Sequence, residues 1–321
     1  MDLPGLLESL KALSNESRLR IVAVLRRNEL TVTQICDILE QSQPRVSRDL
    51  RILCEAGLLE RHNEGTSAFF RRPRSGTARG LFDTVLSLID LESDIIAEDT
   101  TRLGLVRAAC ADEANAYFEA IAPEWDQVRA LHVQDSLIEQ AMLQAVDGMV
   151  INDMLDIGTG TGRILEVFAK RIQRGLGIDI SRQMLSIARN RLEGPGWENC
   201  AVRIGDAYAP GVGSAAFDVT VLHQVLHFLD DPAAAVEAAA KTLRPGGKLL
   251  VVDFSPHTVE TLRTEHHHHR LGFADAEMAT WCRSAGLADP DITHLVARTT
   301  PDTAERPLTI TLWVAARKDA P

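Results

Sequence analysis

The segment Met154-Leu155-Asp156-Ile157-Gly158-Thr159-Gly160-Thr161-Gly162, followed by Gly177-Ile178-Asp179, constrains this chain more than any other stretch. Apolar residues that run into glycines at alternate positions describe a strand turning sharply into a helix. Glycine there lets backbone N–H groups crowd against a ligand at the helix N-terminus. Asp179 lies 23 residues beyond Asp156, where a carboxylate at the end of the next strand can grip a ribose diol. The expectation is an α/β unit that binds a nucleoside.

The order continues downstream. Ser181 is placed to cap a helix through Met184 and Ile187, and Arg203-Ile204-Gly205-Asp206-Ala207 reads as a third strand ending in an acid. Phe217 to Leu222 reads as a fourth strand. Asp231-Pro232 caps and starts an alanine-rich helix to Leu243, and Arg244-Pro245-Gly246-Gly247-Lys248 turns into the apolar strand Leu249 to Phe254. The spacing is D-x-G-x-G-x-G, not G-x-G-x-x-G, and the pattern from about 117 to 316 resembles class I S-adenosylmethionine-dependent methyltransferases.

That resemblance implies a Rossmann-like fold holding S-adenosylmethionine or its product S-adenosylhomocysteine. The positions it assigns to the cofactor are Asp156, Gly158, Thr159, Gly160, Gly162, Asp179, Ile180, Met184, Asp206 and Ala207, with Asp206 facing the adenine amine. His223 and His227 follow the fourth strand, where substrates approach the methyl group, and are the candidate catalytic bases. No Asp/Asn-Pro-Pro-Tyr motif for nucleobase or amide methylation is present.

The first hundred residues differ in character. The 321-residue chain has a net charge of −11, yet residues 1–80 carry 13 Lys and Arg against 10 Asp and Glu. Eight arginines fall between 42 and 80 against four acids. Thr31-Val32-Thr33-Gln34 is a capping box opening a helix through Ile35, Ile38 and Leu39. After the polar turn Gln41-Ser42-Gln43, Pro44 starts a helix to about Ala56 with Val46, Leu50 and Leu53 facing inward. Gln43, Arg45, Ser47 and Arg48 face out. Gly57 ends it, and Leu58–Arg61 and Ser67–Arg71 flank Asn63-Glu64-Gly65-Thr66 as a hairpin.

This winged helix-turn-helix resembles the ArsR family of bacterial repressors over about residues 5–75. The resemblance implies that the helix from Gln43 to Leu53 enters the major groove of double-stranded DNA. Gln43, Arg45, Ser47 and Arg48 would read bases, and Arg61, Arg71 and Arg72 on the wing would meet phosphate. Many ArsR-type sensors carry two cysteines ahead of this motif; here the matching residues are Glu29-Leu30-Thr31-Val32-Thr33, and hydroxyls are poor ligands for soft ions. No metal site is expected.

The organisation expected is α + α/β: a winged helix-turn-helix over 1–80, a dimerisation or linker helix over 81–116, and a methyltransferase-like domain over 117–321. Leu81, Val85, Leu88, Ile89 and Ile95-Ile96 recur at helical spacing, and a homodimer pairing there would match an inverted-repeat operator. Cys36, Cys54, Cys110, Cys200 and Cys282 lack C-x-x-C spacing, and with no signal segment and no long apolar run a cytoplasmic protein without membrane contact is expected. His266 to His269 reads as a solvated helix end, with His266 and His269 the pair able to share an ion. The fusion resembles S-adenosylhomocysteine-responsive repressors of methionine-cycle genes. It implies a dimeric repressor sensing S-adenosylhomocysteine or S-adenosylmethionine; the alternative is an active methyltransferase of a small molecule with an autoregulatory DNA-binding domain.

Overall fold

The computed structural model describes residues 2–26, 30–64, 67–73, 76–121, 135–193, 196–264, 266–296 and 308–318. It divides into two compact units, Met1–Asp112 and Glu113–Pro321. Among the described residues no helix is long and apolar enough to cross a membrane.

In the first unit α1 (Leu3–Leu13) and α2 (Glu16–Val24) lead to β1 (Leu30–Thr31), α3 (Val32–Leu39) and α4 (Gln43–Glu55). The capping box forms as its residues require: Gln34 N–H donates to Thr31 Oγ1 and Thr31 N–H to Gln34 Oε1 at 2.9 Å. Glu40, at φ 53°, closes α3 in the left-handed region, and Pro44 lies in the first turn of α4. Val46, Leu50 and Leu53 are buried in the core with Ile21, Ile35 and Ile38. Gly57, at φ 70°, turns the chain out of α4 into the hairpin β2 (Glu60–Glu64) and β3 (Ser67–Arg71), and the sheet order is β1-β3-β2. Gly65 and Thr66, expected at the wing tip, lie outside the described residues, as does Glu29.

The amphipathic stretch expected over 81–96 is two helices, α5 (Gly76–Leu88) and α6 (Asp94–Ile121). The Asp90 carboxylate accepts from Glu92 N–H at 3.0 Å in the turn between them. Leu81, Val85 and Ile89 are half-buried and pack with buried Phe82 on the core of their own unit, while Leu88 is 80% exposed. One buried charge cluster locks α6 to the helix-turn-helix. Arg20 Nε and Nη2 each donate to the Asp99 carboxylate at 2.7 Å, and Arg20 Nη2 also donates to Leu39 O. Arg102 donates to Asp99 at 3.0 Å and to Ile38 O at 2.6 Å.

In the second unit a seven-stranded sheet has the order β6-β5-β4-β7-β8-β10-β9. The strands are β4 (Ile151–Ile157), β5 (Ile172–Asp179), β6 (Cys200–Ile204), β7 (Phe217–His223), β8 (Leu243–Phe254), β9 (Asp291–Val296) and β10 (Thr309–Ala316). Strands β4 to β8 are parallel to one another, and β10 runs antiparallel to β8 and β9. Both faces of the central strands are buried, which is why they read as near-continuous apolar runs. Met154, Val221, Leu250 and Val252 join one cluster with α7 (Asp135–Ala145) and α8 (Arg163–Phe168). Leu155, Leu222, Leu249 and Val251 join another with α10 (Pro232–Thr242) and α12 (Asp275–Ser284), the numbering leaving α9 for Arg182–Leu192 and α11 for Thr261–Thr264. The chain steps from β4 outward to β6 and then returns to the other side of β4 with β7. This reversal opens a crevice at the carboxyl ends of β4 and β7.

Because Asp99 is fully buried, removing it leaves Arg20 with an uncompensated charge in the interior. Asp99→Ala should destabilise the first unit by about 3–5 kcal/mol. Urea unfolding followed on that unit checks this; a loss below about 1 kcal/mol, the level of an exposed pair, would contradict it.

Candidate functional site

After β4 the backbone runs through Gly158 (φ 71°), Gly160 (φ 53°) and Gly162 (φ 83°), a path that L side chains rarely adopt. A Cβ at Gly158 would stand 2.5 Å from Val225 Cγ2, and one at Gly162 would stand 3.2 Å from the Ala188 Cβ on α9. The turn is fastened from below: Gly158 N–H and Thr159 N–H both donate to Ile178 O, at 2.8 and 2.9 Å. Thr159 Oγ1–H donates to the Asp156 carboxylate at 2.7 Å. Asp156, Thr159 and Met184 are buried, so they shape the cradle from behind.

Asp179 at the end of β5 meets the turn directly. Its Oδ2 accepts from Gly160 N–H at 2.8 Å and its Oδ1 from Ser181 N–H at 2.9 Å. Burial pushes this carboxyl above the ordinary aspartate range, against the pull of the Ser181, Gly160 and Ile180 amides. The two oxygens offer about four acceptor sites, so at least one stays open to a ribose hydroxyl beside these amides. Ile180 beside it is 52% exposed, an apolar surface for the face of a base. Asp206 is exposed just past β6 and accepts from Tyr208 N–H at 2.8 Å; Ala207 next to it is half-buried. The left-handed glycines, the diol-accepting carboxylate, the apolar platform and the further acid together fit an adenosyl ligand.

On the other side of the crevice β7 ends at His223, and Gln224 N–H donates to Val252 O with φ 52°. A short 3-10 turn, Leu226–Phe228, then buries His227. His227 Nδ1–H donates to Asp253 Oδ1 at 2.7 Å, and Asp253 also accepts from His227 N–H and Phe254 N–H. The two candidate histidines therefore have different environments: His227 is buried and braced, His223 half-buried at the strand end.

The histidine run is not the solvated helix end expected. His267 is left-handed at φ 54°, and His269 N–H and Arg270 N–H donate to His227 O, drawing the segment inward. His268 is buried and stacks on His227 with ring centroids 4.0 Å apart, while His269 Nδ1 pairs with Asp230 at 2.9 Å. Asp253 was missed by sequence reasoning. Its signal was an acid inside the otherwise apolar run Leu249 to Phe254.

In the first unit Gln43, Arg45, Ser47 and Arg48 are all exposed along α4, joined there by Arg51. Arg61 is exposed on β2, Arg72 is half-buried after β3, and Arg71 Nε donates to Glu60 Oε2 across the hairpin at 3.1 Å. Cys36 and Cys54 are half-buried, and burial raises both thiols. Among the described residues no group of three His, Cys, Asp or Glu side chains is placed to hold a metal ion.

Both parts of the chain have counterparts among known proteins. Residues 15–61 match the bacterial regulatory protein arsR family, and residues 155–251 match a methyltransferase domain family. The chain thus carries an ArsR-family helix-turn-helix followed by a class I S-adenosylmethionine-dependent methyltransferase domain. It is 30% identical over 175 residues to a 37.1 kDa protein of transposon Tn4556 from Streptomyces fradiae, spanning 50% of each chain. It is 27% identical over 201 residues to the ubiquinone biosynthesis O-methyltransferase of Idiomarina loihiensis, spanning 57% of this chain and 83% of that one. A solved structure from the complex between the Haloferax volcanii Trm112 methyltransferase activator and a methyltransferase shares the fold at 19% identity and a TM-score of 0.52, covering 65% of this chain and 99% of that chain.

Asp179→Ala should weaken S-adenosylhomocysteine at least about tenfold, since hydrogen bonds to a charged group contribute about 1.5–3 kcal/mol each. A diol donates more strongly to the ionised carboxylate, so affinity should fall as pH drops through the raised Asp179 value, earlier than an ordinary aspartate would dictate. Calorimetry across pH checks both; a folded Asp179→Ala protein with unchanged affinity would remove Asp179 from the site.

Proposed function

We propose that the protein is a homodimeric DNA-binding transcriptional repressor whose methyltransferase domain binds S-adenosylhomocysteine or S-adenosylmethionine and thereby sets its affinity for an inverted-repeat operator. The observation that carries this reading is one chain presenting both an exposed, arginine-bearing α4 and a glycine cradle closed by Asp179. Residues that would hold the adenosyl group are Gly158, Gly160, Gly162, Asp179, Ile180 and Asp206; bound S-adenosylmethionine supplies an electrophilic methyl group. Support for the dimer comes from α1, where Leu3, Leu7 and Leu10 are exposed on one face at 70%, 48% and 49%. Two copies pairing these faces would present two recognition helices to two half-sites.

The candidate effector must bind one DNA-binding state more tightly than the other. A coupling of about 1–3 kcal/mol gives a change of roughly 5- to 150-fold in operator affinity, and operator DNA must alter ligand affinity by the same factor. The second reading, a small-molecule methyltransferase with an autoregulatory DNA-binding domain, is favoured by the buried His227–Asp253 pair and by the similarity to O-methyltransferases of ubiquinone biosynthesis.

Fluorescence anisotropy on the native promoter, with and without each ligand, tests the regulator. Arg45→Ala or Arg48→Ala should cost about 1–3 kcal/mol and relax preference at one base pair, while Arg61→Ala should weaken all sequences alike. Leu7→Glu with Leu10→Glu should yield monomers by sedimentation and lose operator binding. Operator affinity unmoved by saturating S-adenosylhomocysteine and S-adenosylmethionine alike would end the sensor reading.

A further inference from the structure

The geometry points to the outer face of α9, in the methyltransferase unit, as a second surface for duplex DNA, one that takes the phosphate backbone outside the half-sites met by α4. This rests on the reading of α4 as a DNA-recognition helix and not on ligand sensing. Charge singles the surface out. Residues 113–321 carry 19 Lys and Arg against 28 Asp and Glu, a net of −9, yet residues 168–204 hold seven of those basic residues and three of those acids. Elsewhere in the unit arginines are spent on carboxylates: Arg163 on Glu139, Arg244 on Asp218, Arg270 on Glu277 and Arg283 on Asp289. Arg182 and Arg189 are exposed on α9 and, among the described residues, meet no carboxylate. Arg45, Arg48 and Arg51 of α4 stand in the same condition.

The helix itself does not need these arginines. Met184, Leu185, Ala188 and Leu192 are buried and supply its packing face, and Ser181 caps it by accepting from Met184 N–H at 3.3 Å. Arg189 in the last turn suits the helix dipole, but Arg182 is the first helical residue, where a positive charge opposes it. A cation placed against the dipole, with no acid to meet, serves something outside the unit. Seven residues separate the two arginines, so they lie on one face about 10 Å apart along the axis. Ser186 stands between them and Gln183 and Asn190 beside them, all exposed. At the same edge of the sheet Arg203 on β6 donates to Pro210 O and Gly211 O, which fixes the guanidinium and leaves its charge unmatched.

The composition of the face sets the occupant. Protein interfaces centre on apolar and aromatic side chains, and the exposed face of α9 has none. Arginine, glutamine, serine and asparagine are the side chains that donate to phosphate oxygens, and α4 presents nearly the same set in Gln43, Arg45, Ser47 and Arg48. The acidic remainder of the unit does not cancel this, because salt screens exposed charges beyond about 8–10 Å. The acids nearest in sequence are turned away: Asp179 accepts from Gly160 N–H in the cradle, and Glu193 stands past the far end of the helix. With the bases of each half-site taken by α4, α9 adds affinity and orientation without sequence preference.

Salt dependence counts phosphates, so it is the readout. Anisotropy of the full-length protein is measured across salt on the native promoter duplex and on a random duplex of about 40 base pairs, roughly four helical turns. Each phosphate neutralised contributes about 0.9 to the slope of log K against log salt, so Arg182→Gln with Arg189→Gln should flatten the slope by about 2 or more and weaken both duplexes at least tenfold. The ratio of promoter to random binding and the Tm should be retained. Ser186→Glu, which sets an acid between the two arginines, should act in the same direction. Lys241→Gln with Lys318→Gln removes equal charge from elsewhere in the unit and should change neither slope nor affinity. Hydroxyl-radical footprints of the wild type should extend beyond the half-sites, and the double arginine variant should lose that extension alone. An unchanged slope in the α9 variants, an equal loss in the lysine variant, a loss confined to the promoter duplex, or a wild-type footprint limited to the half-sites overturns the α9 surface and leaves the reading of α4 intact. No binding of either duplex by the wild type overturns both.

Discussion

The close passage of backbone at Gly158 and Gly160 is the constraint on which the second unit turns. Gly160 N–H can reach Asp179 because the turn follows a left-handed path, and Val225 can lie over Gly158 because no side chain stands there. The same sparseness that admits a ligand thus pulls the turn after β7 against the cradle. A side chain at 158 would displace Val225, and with it the turn that holds His227. The turn after β4 and the turn after β7 are set by one steric fact.

The two ends of the parallel strands use carboxylates in opposite ways. At the amino ends, Asp153 takes Arg174 and Arg244, and Asp218 takes Arg244 with the amides of Asn152 and Asp153. Burial alone would raise both carboxyls, but these partners win and hold them below the ordinary range. That end is electrostatically saturated and serves stability. At the carboxyl ends Asp179 is met by the backbone amides of Gly160, Ile180 and Ser181, burial prevails, and its carboxyl is raised. A group disfavoured in its charged form gains most from new donors, which is what a ribose diol offers.

How much of this was legible in the sequence depended on the range of the interaction. Thr31 and Gln34 act across one turn of helix, and Pro44, Gly57 and Gly158 to Gly162 act through their own backbone, so each could be read locally. Helical spacing at Leu81, Val85 and Ile89 was equally visible, but periodicity reports that a face is buried without saying by what; here the partner is the unit's own core. The exposed leucines of α1 are the converse, an apolar face that the packing of the described residues leaves open. Asp253 and His227 are 26 residues apart, and the histidine run reaches His227 from beyond α11. No local pattern joins them, because strand pairing and two backbone hydrogen bonds bring them together.

The charge cluster at Asp99 bears on how a ligand could reach DNA. Arg20 and Arg102 tie α6 to the last carbonyls of α3, just before the turn that leads into α4. Helix α6 itself continues to Ile121, past the boundary between the units at Asp112 and Glu113. Allosteric coupling is worth about 1–3 kcal/mol. Breaking one partner out of a buried pair costs about 3–5 kcal/mol. If the protein senses a ligand as proposed, a coupling of that size leaves the cluster closed, and α6 would carry the turn before α4 with it as one body.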